Sequence, residues 1–188
     1  MTQQILILAT DGFEQSELVE PKDRLEQAGF AVTIGSPESG SIRGWDDGDW
    51  GASVSVDRTV DEIEVDGYDA LLLPGGQINP DKLRMSERAV AIVRGFDMAG
   101  KPIAAICHAP WLLAEAGILR DRTVTSWPSI RTDLKNAGAD VVDREVATDG
   151  NLITSRCPDD IPAFADALIA ALQEGHRQRR GCRRGSGW

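Results

Sequence analysis

The chain has 188 residues and a mass of 20.3 kDa, 41% hydrophobic and 27% charged, which favours one soluble-type domain large enough to bury a core. A formal net charge of −10 and a pI near 4.7 argue against nucleic acid as a partner, and no apolar run approaches the length of a membrane span. Three widely spaced cysteines read neither as a disulfide framework nor as a zinc site.

The start, MTQQILILATDG, has no basic region ahead of its apolar run. No signal peptide is visible, and a reducing cytoplasm is the expected compartment. Gln4 to Ala9 is apolar throughout, as in a central parallel strand buried on both faces. A turn at Thr10-Asp11-Gly12 leads to a helix over roughly Glu14 to Ala28, stopped by Gly29. Pro21 predicts a kink in that helix, or a later start. Glu17 and Glu20 read as solvent-facing charges on it.

Phe30 to Ile34 is the second strand, and Gly40 to Asp57 reads as a β-hairpin extension. Within it, Asp47-Gly48-Asp49 fails as a calcium loop, because Gly51 stands at the third ligand position and no Glu closes it. Tyr68 to Pro74 is a buried strand ending in Gly75-Gly76, followed by a helix over roughly Asp81 to Ala99. Past Ile103–Ile106, a short strand starts at Val124 and a helix covers Ser129 to Ala137. Val141-Val142 and Leu152-Ile153 flank a turn at Asp149-Gly150-Asn151, and a last helix spans Ile161 to Gln173. Strands alternating with helices predict an α/β fold: a mostly parallel sheet covered by helices on both faces. From His176 onward the chain carries five arginines and no acid. This basic tail, residues 175–188, reads as a solvated or disordered extension of a domain spanning residues 1–174.

The stretch from Lys101 to Gly117, KPIAAICHAPWLLAEAG, carries the chemistry. Ile103 to Ile106 form a buried strand, Cys107 and His108 follow at once, and Pro110 fits the first turn of a helix. Strand, abrupt turn and helix with a cysteine on the turn describe a nucleophile elbow. Alone, Cys107 reads equally as a small buried hydrophobe and as a reactive thiol whose pKa is lowered by its setting. In open α/β sheets, however, ligands bind outside the carboxyl ends of the strands. Three such ends converge here: the Asp11–Glu14 turn, Gly75-Gly76 and Cys107-His108. That topology gathers Cys107, His108, Glu14 and the Gly75 and Gly76 amides, and it favours the reactive thiol.

The same residues resemble a known family. AICHAP at Ala105–Pro110 is similar to the AICHGP elbow of the ThiJ/PfpI family, within the class I glutamine amidotransferase-like superfamily. FEQSEL at Phe13–Leu18, LLPGG at Leu72–Gly76, GILRDRTVTSWP at Gly117–Pro128 and DGNLITSR at Asp149–Arg156 extend the match to about Gln173. The resemblance implies a flavodoxin-like three-layer α/β/α sandwich. It also implies Cys107 as nucleophile and a protonated Glu14 beside its sulfur. His108 would project away from the cysteine as acid/base partner, and the Gly76 and His108 amides would form an oxyanion hole with Gly75 alongside. In the PfpI group a neighbouring subunit supplies the acid of a Cys-His-acid triad. The matching position is Asp81, in a loop one residue longer than in some relatives, so a homodimer or larger homo-oligomer is expected. Two departures stand out: Ala109 replaces a Gly, and the basic tail has no counterpart. Cys157 is expected to be an inert thiol and Cys182 an exposed one.

The activity implied is cofactor- and metal-independent: a cysteine-dependent stress-response hydrolase acting on reactive carbonyls or glycated proteins, of deglycase or glyoxalase type. The alternatives are a PfpI-type intracellular cysteine peptidase, and a redox-sensing or chaperone-like stress protein whose Cys107 oxidises to sulfinate.

Overall fold

The computed structural model describes the backbone of residues 2–184 and side chains to residue 175. The first half contains β1 (Gln4–Leu8), β2 (Phe13–Glu14), α1 (Gln15–Gln27), β3 (Ala31–Ser36), β4 (Ser41–Asp46), β5 (Asp49–Ser55), β6 (Arg58–Thr59), β7 (Ala70–Leu73), α2 (Ile78–Leu83) and α3 (Glu87–Met98). The second contains β8 (Ile103–Ile106), α4 (Pro110–Ala116), β9 (Thr123–Val124), α5 (Arg131–Asn136), β10 (Asp140–Val141), β11 (Val146–Asp149), β12 (Leu152–Ser155) and α6 (Ile161–Arg184).

Seven strands form the central sheet in the order β11-β12-β8-β7-β1-β3-β6. All neighbours are parallel except the edge pair β11–β12. Parallel strands need both faces covered, and the period-2 alternation of β1 shows how. Leu6 and Leu8 pack under α3 and α4, whereas Ile5 and Ile7 face α1 and α6. In β8, Ile103 and Ala105 take the first side and Ala104 and Ile106 the second. The result is the flavodoxin-like three-layer sandwich expected from the sequence. The hairpin β4–β5 is present too, turning at Asp47 and Gly48, both with positive φ (44° and 88°), as a two-residue type I′ turn requires. It joins β2 in a separate three-stranded sheet.

Several local readings change. The helix expected over Asp81 to Ala99 is two helices, because the Ser86 hydroxyl accepts the Ala89 N–H and starts α3 afresh. Pro21 lies buried inside a continuous α1, not at its start. Val141 pairs β10 with β9, and it is Val146–Asp149 that forms the hairpin with β12. The last helix runs on from Gln173 to Arg184, so the basic stretch begins as helix, not as a separate extension. Expectations for the side chains of His176, Cys182 and the tail arginines lie outside the described residues. Among the described residues no helix is long and apolar enough to cross a membrane.

Phe96 is fully buried between α3 and the sheet. Phe96→Ala should cost about 3–5 kcal/mol, read as a lower denaturation midpoint with an unchanged denaturant slope.

Candidate active site

The carboxyl ends of β1, β7 and β8 meet at one edge, and small polar contacts lock their turns together. The buried Asn79 side chain accepts the Thr10 N–H at 2.8 Å and donates to the Pro74 carbonyl at 2.8 Å and the Gly75 carbonyl at 3.2 Å. The Glu14 N–H donates to the Gly75 carbonyl at 3.2 Å. A Cβ on Gly76 would lie 2.6 Å from the Glu14 nitrogen, on backbone at φ +80°. Only glycine therefore lets the two turns approach this closely.

Cys107 ends β8 at φ +63°, a left-handed conformation that costs a non-glycine residue energy and is held here from both sides. Its N–H donates to the Ser155 carbonyl and its carbonyl accepts the Trp127 N–H, both at 3.0 Å. The elbow read from the sequence is thus present, with Cys107 only 6% exposed. Ala109 fits without strain, since its φ is −55° and a Cβ is at home there.

The acid beside the sulfur is Glu17, not Glu14. Glu17 is 0% exposed, its Oε2 accepts the Gly75 N–H at 2.9 Å, and its carboxyl hydrogen-bonds with the Cys107 thiol. Its Oε1 is buried with no hydrogen-bond partner among the described residues. Glu14 instead lies half-buried at the start of α1, where its Oε1 accepts from the Ser16 hydroxyl at 3.3 Å. The physical reason is helix phase: Glu17, Pro21 and Leu25 share the buried face of α1 at spacings of four. That same phase was the available sequence signal. Glu20 is exposed, as expected.

Burial pushes the Glu17 carboxyl up to about 8, and the charge of Glu14 adds to this, while the hydrogen bonds from Gly75 and Cys107 oppose it. Glu17 therefore keeps its proton at neutral pH. Burial also raises the Cys107 thiol, as does negative charge on Glu17, against a downward pull from the Gly76 and His108 backbone N–H groups. The lowered thiol expected from the sequence is overturned: desolvation at 6% exposure outweighs two amides. Gly75 leaves the expected oxyanion set as well, because its N–H is committed to Glu17. The amides turned to the sulfur belong to Gly76 and His108.

His108 does not project away. Its Nδ1 lies 3.2 Å from the Cys107 Sγ and its Nε2 3.3 Å from the Ser129 Oγ. Burial lowers its pKa, so the imidazole is neutral at pH 7 and can accept a proton. The ring stacks on Trp127 at 5.9 Å and packs on Trp111 at 5.4 Å, neither singled out in the sequence. The Trp111 Nε1–H in turn donates to Asp133 at 2.8 Å. Asp81 is exposed in the first turn of α2, with no hydrogen bond to His108 within this subunit. Cys157 is partly exposed, and burial raises its thiol pKa. Among the described residues no cluster of three or more His, Cys, Asp or Glu could hold a metal ion.

A model of the DJ-1/PfpI family matches residues 3–171. The chain belongs to the DJ-1/PfpI family. Its relatives include the deglycase PfpI of Pyrococcus furiosus, 44% identical over 169 residues, covering 90% of this chain and 99% of that protein. General stress protein 18 of Bacillus subtilis is 42% identical, covering 93% of this chain and all of that one. The crystal structure of Drosophila melanogaster DJ-1beta superposes with a TM-score of 0.83 at 30% identity, over 93% of this chain and 95% of that one. Family membership agrees with the sandwich.

The Glu17 proton makes stability depend on pH. A carboxyl raised to about 8 stays protonated in the folded state while the unfolded chain ionises near its ordinary value of 4.5. The native protein then holds more protons than the unfolded one, and stability falls as pH rises through this window. Glu17→Gln should remove that fall. Its denaturation midpoint relative to the unsubstituted protein should climb between pH 5 and pH 8.5, and a flat difference would mean that Glu17 is ionised in the fold.

Proposed function

We propose that the protein is a cysteine-dependent hydrolase of reactive carbonyls or glycated protein side chains, of deglycase or glutathione-independent glyoxalase type, with Cys107 as nucleophile. The observation that carries this reading is the protonated Glu17 carboxyl buried against the sulfur, with a neutral His108 Nδ1 at 3.2 Å. A base and an acid flank one nucleophile, the arrangement that addition to a carbonyl needs. His108 takes the thiol proton at Nδ1 as sulfur bonds to the carbonyl carbon. The carbonyl π electrons move to oxygen, where the Glu17 proton quenches the charge and the Gly76 and His108 N–H groups lie close by. This gives a hemithioacetal. With a 2-oxoaldehyde, a proton shift between the two carbons yields a thioester, which water hydrolyses to a 2-hydroxy acid and the free thiol.

The deglycase name of the Pyrococcus relative supports this substrate class. The 6% exposure of Cys107 favours a small carbonyl or a single side chain over an extended peptide, which ranks the peptidase alternative lower. A second reading has its own support, because a carboxyl that keeps its proton can also donate to a sulfinate on Cys107, as a redox-sensing stress protein requires. Oxygen uptake confined to Cys107 under mild peroxide, with no aldehyde turnover by the reduced protein, would favour that reading.

In an assay with methylglyoxal and with glycated peptide, Cys107→Ala should abolish turnover. Glu17→Gln should lower it by at least ~100-fold. Glu14→Gln removes only a neighbouring charge and should cost less than ~10-fold. Full activity in Cys107→Ala would end the proposal. We also propose that Asp81 acts on His108 from a second subunit of a homo-oligomer. Two inactive variants, Cys107→Ala and Asp81→Ala, should then recover part of the activity when mixed and allowed to exchange subunits. No recovery from an exchanged oligomer would rule out the acid in trans.

A further inference from the structure

We propose that Ser129 is a positioning residue for the Cys107–His108 pair, its hydroxyl holding the imidazole with Nδ1, not a carbon edge, against the sulfur. The inference deepens the function proposed above and depends on it only for its kinetic readout.

Trp127 and Trp111 define the plane of the His108 ring through contacts at 5.9 Å and 5.4 Å. They do not choose between the two orientations related by a half-turn about Cβ–Cγ, since an aromatic face packs alike on either. The second side-chain torsion of histidine is broad and close to two-fold, so it does not choose either. A half-turn exchanges Nδ1 with Cδ2 and Nε2 with Cε1. In the observed orientation both nitrogens face polar atoms, sulfur at 3.2 Å and the Ser129 Oγ at 3.3 Å. In the other, the sulfur and the Ser129 oxygen would meet the Cδ2–H and Cε1–H edges of the ring. A thiol is a weak hydrogen-bonding partner, so the hydroxyl supplies most of the discrimination.

A hydroxyl also suits the proton movement. When the Cys107 S–H bond breaks and the proton passes to Nδ1, the products are a thiolate and an imidazolium with N–H groups at both nitrogens. The Ser129 oxygen accepts from Nε2–H before and after that transfer without moving. Its place is set by the nucleophile's own backbone. Ser129 lies in the short helical turn Pro128–Ile130, the Trp127 N–H donates to the Cys107 carbonyl at 3.0 Å, and Ile130 is fully buried. Three residues of chain thus tie the hydroxyl to the same residue whose sulfur it helps to align.

The chain has two histidines, so in a His176→Gln background one imidazole remains to be observed by nitrogen-15 NMR. The parent should show a single Nε2–H tautomer for His108. Ser129→Ala should show a mixed or exchange-broadened ring, with kcat about 10-fold lower and KM unchanged. Ser129→Thr, which keeps the hydroxyl, should restore both. Ring signals and kcat in Ser129→Ala that match the parent would overturn the proposal, as would a raised KM with an unaltered ring, or failure of threonine to restore the tautomer. If the ring responds as expected while the parent turns over neither substrate, the positioning role stands and the assigned reaction fails.

Discussion

The contact between the Glu17 carboxyl and the Gly75–Cys107 pair is the constraint on which the rest of the site depends. Gly75 donates to Glu17 at 2.9 Å, and a Cβ there would come within 2.6 Å of the Cys107 Cβ. The end of β7, the first turn of α1 and the end of β8 are therefore pressed together with no side chain between them. That compression has two consequences. It removes water from the carboxyl, which is why the proton stays on Glu17, and it sets the thiol of Cys107 against that carboxyl.

Because burial pushes the thiol up as well, the reaction proposed for Cys107 would make its nucleophile on demand. Desolvation disfavours a standing thiolate, and the Gly76 and His108 amides only partly offset it. In that proposal activation comes from the neighbouring neutral imidazole, and its efficiency depends on ring orientation as much as on distance. Glu14 acts at one remove: its negative charge adds to the burial that keeps Glu17 protonated. Burial raises both carboxyls, and it is the fully buried Glu17 that is pushed up to about 8.

Much of this was legible in the chain. The apolar runs ILILA, ALLL and IAAI could be little other than central strands, and β8 with its elbow emerged at the residues expected, Ile103–Ile106 and Cys107. Glycines and prolines punctuated the elements well, as at the left-handed Gly117 that closes α4. What failed was the assignment of burial within an element. Glu17 looked like a helix charge because carboxylates are seldom buried, yet its spacing from Pro21 and Leu25 placed it on the core face. The break between α2 and α3 turned on the Ser86 cap, a local competition that periodicity does not register. Trp127 and Ser129 were out of reach for another reason: they approach His108 through long-range backbone pairing with Cys107, which no local pattern encodes.

The two glycines at the end of β7 are not interchangeable, and the difference explains why the oxyanion set is smaller than the sequence implied. Gly75 is small so that a carboxyl can approach, and its N–H is consumed in holding it. Gly76 is left-handed, at φ +80°, and its N–H is turned toward the sulfur. One peptide unit thus donates to the carboxyl and the next to the sulfur. Adjacent glycines at a strand end are usually read as a generic anion cradle. Here that cradle is divided into one amide for a buried carboxyl and one for the sulfur.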